Sequence, residues 1–209
     1  MTETLRMGVN SEPPSVKVKK INPMPEIICG VNEDKEKIRD NIKKNIQRGL
    51  PQARPYETQW DKVVGLALGG PTLKETFPDL LEKRKNGMPV ITVNGSHKYC
   101  MDRGLTPSAM VMLDSREFNN RFVYPLSKDC KYFISSQCHP SVFDKLKASP
   151  VSIWHCPGHP KFDPIHDQYR EDYFPIMGGA TIALRAVHLF RMLGSVSYTH
   201  LTLPTILLV

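Results

Sequence analysis

Five short apolar runs limit what this chain can fold into more than any other feature. They read VVGLAL (63–68), PVITV (89–93), AMVML (109–113), KYFIS (131–135) and VSIW (151–154). Each is mostly continuous rather than alternating, as strands covered on both faces are. Between the five runs lie segments that can be helical: 71–85, 95–103, a short piece after Ser115, and 140–147. Strand, turn and helix in that rhythm are the mark of βαβ units. They predict an α/β fold with a mostly parallel sheet and flanking helices.

The segments before and after this core read differently. Residues 1–30 hold Pro13, Pro14, Pro23 and Pro25, a basic cluster at Lys17, Lys19 and Lys20, and no sustained period, so they predict a poorly ordered arm. The stretch NEDKEKIRDNIKKNIQRGLP then reads as a helix, with Ile38, Ile42 and Ile46 on one stripe. Asn32 or Asp34 can cap its start, Gly49 suits the left-handed position past its end, and Pro51 stops it. Residues 51–60 read as a linker, so 1–60 stand apart from a main domain at 61–194.

After Trp154 the stretch HCPGHPKFDPIHDQYREDYFP reads as a long loop, functional or mobile at that length. A final helix follows in MGGATIALRAVHLFRMLG. Ile182, Ala186, Leu189 and Leu193 share its apolar face, and Arg185, His188 and Arg191 lie opposite. The last stretch, 195–209, contains no Asp, Glu, Lys or Arg. Its VSYTHLTLPT resembles a translated sequencing adapter, so the segment is set aside as a non-native tail. On that reading the α/β domain is C-terminally truncated and lacks the strand that should follow its last helix.

Totals narrow the function classes. A chain with 40% hydrophobic and 23% charged residues is an ordinary globular one. No apolar run is long enough to span a bilayer, which predicts no membrane partner. The five cysteines are scattered and no export signal precedes them, which predicts reduced thiols and a cytoplasmic location. A net charge of +7 favours anionic partners such as nucleotides or phosphosugars. No dense Lys/Arg block interleaved with aromatics occurs, so no dedicated nucleic-acid surface is expected.

The residues that can carry chemistry sit at predicted strand ends, where open α/β sheets bind ligands. Gly69 and Gly70 end the first strand and allow close backbone approach. Pro71 fits the first turn of the next helix, and the Thr72 hydroxyl with free N–H groups there can bind phosphate. A tight turn without a ligand has the same sequence. Asn94 and Gly95 end the second strand, where they can meet a base, ribose or phosphate, or simply turn the chain. Asp114 ends the third; it suits Mg²⁺ or a ribose hydroxyl, or a helix N-cap. Gln137 and His139 end the fourth; His139 can contact phosphate or act as acid or base, or it can mark a helix entry. Gly178, Gly179 and Thr181 form a second glycine-rich helix start. Two such turns, with Asn and Asp strand ends between them, favour a nucleotide or phosphorylated ligand.

Other chemistries fare worse. Cys138, His139, His155, Cys156 and His159 fit no zinc spacing. Hydride transfer lacks both the third-glycine spacing and an acidic residue after the second strand.

The stretches LALGGPTL, ITVNGSHKYCMDRGLTPSAMVMLDSR, ISSQCHPSVFDKL and MGGATIALRAVHLFRMLG resemble the 6-hydroxymethylpterin diphosphokinase-like family. That family includes archaeal pterin pyrophosphokinases, phage and prophage relatives, and the central domain of motility-associated flagellin glycosyltransferases. The resemblance covers 61–194. Leu68 stands where many members have glycine, and Thr72 where they have serine. It implies a Rossmann-like fold, ATP as substrate with Mg²⁺, and diphosphate transfer to a pterin-like small-molecule acceptor. Gly69, Gly70 and Thr72 would hold phosphates, Asn94 the nucleotide, and Asp114 the metal or ribose. Gly178, Gly179 and Thr181 would close the other side. A glycosyltransferase-like protein using a CMP-activated sugar, and a non-catalytic phage accessory protein, are the alternatives.

Overall fold

The structure, a computed structural model, describes residues 33–56, 60–157, 174–178 and 181–200. They belong to one unit spanning Val31–Val209. Five strands correspond to the five apolar runs: β1 (Trp60–Ala67), β2 (Val90–Val93), β3 (Ala109–Met112), β4 (Lys131–Ser135) and β5 (Val151–Trp154). A sixth, β6 (Ser195–His200), lies on the other side of β1. The sheet order is β5-β4-β3-β2-β1-β6, and every neighbouring pair is parallel. The α/β fold with a parallel sheet expected from the sequence is the fold observed.

Helices α1 (Lys35–Ile46), α2 (Leu73–Lys85), α3 (Ser96–Met101), α4 (Pro140–Lys145) and α5 (Ile182–Met192) complete the order, with a 3₁₀ helix at Glu117–Val123. Side chains alternate between the two faces of each strand, and both faces are covered. Val64, Leu66, Ile91, Val93, Ala109, Val111, Phe133 and Trp154 pack with Ala186, Leu189 and Phe190 of α5. On the opposite face, Val90 and Ala67 pack with α2 and α3. There too, Met110, Met112, Tyr132 and Ile134 pack with Val142 and Phe143 of α4. This two-sided burial is why the strands read as continuous apolar runs, and each large side chain so buried contributes about 2 kcal/mol. Trp154 is buried together with its indole N–H, which donates to the Phe133 carbonyl at 3.1 Å. Among the described residues no helix is long and apolar enough to cross a membrane.

Three local details refine the sequence reading. Asp34 caps α1, its Oδ1 accepting from the N–H groups of Glu36 (2.7 Å) and Lys37 (3.2 Å). Pro71 lies in the turn before α2, not in its first helical turn; Thr72 takes the N-cap place and Leu73 begins the helix. The stretch read as a linker docks on the free edge of β5. The Ala53 N–H donates to the Ile153 carbonyl and the Ile153 N–H to the Pro51 carbonyl, both at 2.8 Å.

The amide Nδ2 of Asn41 donates to the carbonyls of Ser115 and Gln137, and that of Asn45 to those of Ser136 (3.0 Å) and Cys138 (2.7 Å). These carbonyls belong to the loops that leave β3 and β4. Helix α1 therefore lies over the carboxyl ends of those two strands and leaves the ends of β1 and β2 uncovered by it.

Candidate functional site

A cleft of about 490 Å³ opens where β1 and β2 end. The glycine turn Gly69–Gly70, Asn94 and Gly95, the starts of α2 and α3, and Ile182 at the start of α5 form its walls. The strand order explains the place. From β1 the chain crosses to α2 on one face, while α5 approaches from the other. The helices diverge above β1, and a crevice results. Helices α2 and α5 both begin there, so the positive ends of two helix dipoles converge on it.

Each wall residue has a local reason for its position. A Cβ placed on Gly69 would meet nothing within 4 Å, so packing alone does not require a glycine there. Leu68, just before the glycine turn, is buried in the core. Asn94 is the one non-glycine residue with positive φ (44°) among the described residues, a conformation that Asn tolerates. Its Oδ1 accepts from the Leu113 N–H at 3.4 Å and ties the ends of β2 and β3 together. A Cβ on Gly95 would touch the Phe122 ring at 3.2 Å. The Ser96 hydroxyl, which the sequence reading passed over, accepts from the Val93 N–H at 2.9 Å and lies 2.8 Å from the Ala67 carbonyl, clipping β1 to β2.

The structure thus gathers Gly69, Gly70, Asn94 and Gly95 around one cleft. Thr72 stands beside it, at the start of α2. Its Oγ1 is buried, makes no capping bond and has no hydrogen-bond partner among the described residues. A hydroxyl left so costs about 1–3 kcal/mol, and a ligand atom brought beside it would lower that cost. On the opposite wall, Thr181 caps α5, its Oγ1 accepting from the Leu184 N–H at 3.4 Å. Gly178 has φ of +105°, and a side chain there would run into the His188 ring. Gly179 lies outside the described residues.

Other candidates are occupied elsewhere. Asp114 is bound by Arg116 on both oxygens, Nε to Oδ1 at 3.0 Å and Nη2 to Oδ2 at 2.7 Å. Burial pushes its carboxyl pKa up. Hydrogen bonds from Arg116 and the Arg116 charge, with the polar Asn119 amide nearby, outweigh that and hold it below the ordinary value. Gln137 is buried and donates through Nε2 to the Cys156 carbonyl at 3.1 Å. His139 caps α4: its Nδ1 accepts from the Ser141 N–H and lies 2.8 Å from the Ser141 hydroxyl. Gln137 and His139 stand with the loop that α1 holds, away from the cleft walls.

The sequence reading also missed Lys74 and Tyr99. Lys74, exposed in the first turn of α2, lines the cleft and forms no ion pair with a described residue. Its signal was its place, directly after the Gly-Gly-Pro-Thr-Leu turn. Tyr99 lines the cleft from α3.

Among the described residues, neither thiol nor metal chemistry finds support. Burial pushes the Cys100 and Cys130 thiols up to about 12, and the Cys138 thiol also up, so none is a ready thiolate. No group of three or more His, Cys, Asp or Glu side chains among the described residues could hold a metal ion. His159, part of the cluster considered from the sequence, lies outside those residues. Among the described residues, Asp114 is paired with Arg116 and would have to exchange it to hold a magnesium ion.

A family model described as 6-hydroxymethylpterin diphosphokinase MptE-like matches residues 36–197. No curated protein matches the chain. Among solved structures, the MAf glycosyltransferase from Magnetospirillum magneticum AMB-1 is similar, with a TM-score of 0.64 at 15% identity. The match covers 82% of this chain and 27% of that one, so the chain spans about a quarter of the neighbour's length. The likeness is one of fold.

Proposed function

Because the chain belongs to the 6-hydroxymethylpterin diphosphokinase MptE-like family, we propose that its cleft binds a nucleotide and that the protein transfers a group from it. The observation that carries this reading is the convergence of a bare glycine turn, two helix starts and Lys74 on one cleft. Such a place suits phosphates, since backbone N–H groups and dipole ends favour anions and a lysine adds a full charge. Phosphoryl-type transfer asks mainly for charge neutralisation and in-line positioning, which these groups can supply.

In this reading Gly69, Gly70, Thr72 and Lys74 hold the phosphates, and Asn94 with Gly95 holds the nucleoside. Thr181, with Gly178 and Gly179, closes the far side. The preferred reaction is diphosphate transfer from ATP to a 6-hydroxymethylpterin-like acceptor. The likeness to a glycosyltransferase supports a second reading, in which the cleft takes a cytidine sugar nucleotide. His139 as acid or base would use its Nε2, because Nδ1 faces Ser141. Asp114 as a metal ligand would have to exchange Arg116 for the ion.

Calorimetric titration of the full chain with ATP, CTP, CMP and GTP, with and without Mg²⁺, tests this. Selective, Mg²⁺-dependent ATP binding supports the first reading, and a pterin diphosphokinase assay would follow. Cytidine selectivity supports the second. No binding to a folded sample overturns both and leaves a non-catalytic scaffold. Within the first outcome, Lys74→Ala should weaken ATP about tenfold, the scale of one hydrogen bond to a charged group. Asp114→Asn should abolish the Mg²⁺ enhancement. If the enhancement survives, Asp114 is only the partner of Arg116.

A further inference from the structure

One cleft side chain is held more firmly than its packing requires. The Tyr99 ring carries the Arg103 guanidinium over one face, 3.7 Å from its centroid. Arg103 also donates to the Tyr99 carbonyl at 3.3 Å, so both ends of the contact belong to α3 and the turn after it. Phe77 of α2 meets the ring in a perpendicular contact, with centroids 5.6 Å apart. Yet Tyr99 is only half-buried, it faces the cleft, and its hydroxyl makes no hydrogen bond with a described residue.

Lys74 lies one helical turn before Phe77, which places the cationic and aromatic parts of the wall side by side. The rest of the apolar lining is Pro71, Leu73, Val93 and Ile182. The cleft therefore has an anion-binding part, at the glycine turn and Lys74, and beside it an apolar part with one immobilised ring. A ring already fixed by its neighbours loses little side-chain freedom when a ligand packs on it.

We propose that Tyr99 is the specificity-determining residue of this cleft, receiving the planar heterocycle of a phosphorylated ligand whose phosphates lie at the Gly69–Gly70 turn. The inference rests on the cleft being a nucleotide site, and adds which side chain reads the ring. Arg103 keeps the phenol in place.

The test separates ring from phosphate by titrating the full chain with ATP and with inorganic tripolyphosphate. Wild type should bind ATP more tightly than tripolyphosphate. Tyr99→Leu, which keeps apolar bulk against Phe77, should weaken ATP about tenfold, the scale of one base–aromatic contact, and leave tripolyphosphate within about twofold. Arg103→Ala should move the same ratio in the same direction by less. Equal weakening of both ligands by Tyr99→Leu makes the residue structural and overturns the proposal. Wild type that binds tripolyphosphate as well as ATP also overturns it, while the phosphate site stands. Failure to bind either ligand overturns the underlying nucleotide reading as well.

Discussion

His97 shows how a single buried residue sets a measurable property. It is fully buried, its Nδ1 lies 3.2 Å from the Thr92 hydroxyl and its Nε2 lies 3.3 Å from the Pro125 carbonyl. A carbonyl can only accept, so Nε2 carries the proton, and Nδ1 faces the Thr92 hydroxyl, which also lies 3.3 Å from the Ala109 carbonyl. Burial lowers the pKa from 6.5 to about 4, against the opposing pull of the Pro125 and Val123 carbonyls. The unfolded chain therefore binds more protons than the folded one between these values. The stabilisation is present in full above pH 6.5 and is lost as pH falls toward and through about 4. Between pH 7 and pH 5 that amounts to about 2 kcal/mol. Urea unfolding at the two pH values should show this loss in the wild type and not in His97→Gln; equal losses would dismiss it.

Gly69 gives the complementary case, a residue whose removal should harm function and not folding. Its would-be Cβ meets no atom within 4 Å. Gly69→Ala should therefore change stability by less than about 1 kcal/mol. ATP affinity should nonetheless fall at least fivefold, because the methyl group stands between the turn and the phosphates. Calorimetry on a variant with unchanged unfolding midpoint decides the matter. Residues of this kind were legible in the sequence, since a glycine pair at a strand end has a local meaning. Lys74 and Tyr99 were not, because nothing local separates them from other surface residues of a helix; only the fold brings them to the cleft.

At the scale of elements, α1 is where the sequence said least. The stripe of Ile38, Ile42 and Ile46 announced a helix. Asn41 and Asn45, which the sequence reading passed over, are both buried and clamp loops more than seventy residues away. Such pairings leave no periodic trace. Asn45→Ala removes the donor shared by the Ser136 and Cys138 carbonyls, and should cost about 2–3 kcal/mol in urea unfolding. Because α1 covers β3 and β4 rather than the cleft, ATP affinity at a permissive temperature should change by less than twofold. A large loss of affinity with a small loss of stability would instead connect the β4 loop, with Gln137 and His139, to the ligand. β2 to β5 were read to within a residue, for burial on both faces makes them apolar throughout, whereas β1 begins at Trp60, three residues before its apolar run, and β6 was not read as a strand of the domain. Their order was not readable, since sequence carries the rhythm of βα units but not which neighbours pair.

For the molecule as a whole, the sheet's β6 side holds the remaining tension between sequence and structure. β6 extends the parallel sheet beyond β1, with a register irregularity between Trp60 and Val63. Its first residue, Ser195, is buried, and its hydroxyl has no hydrogen-bond partner among the described residues. A cavity of about 150 Å³ lined by Val64, Leu66, Ala186, Val187 and Phe190 lies beside it. A segment with an adapter-like sequence would occupy this slot without having been selected to fill it. Two expectations separate pairing from fit. Ser195→Val, which removes the orphaned hydroxyl and adds methyl groups toward the cavity, should raise stability by about 1 kcal/mol. Deleting residues 195–209 should lower the melting temperature, because β1 loses its ladder on that side, while the order of preference among ATP, CTP and GTP stays the same. A changed preference would make the segment part of the binding site, and the adapter reading would then fail on functional grounds.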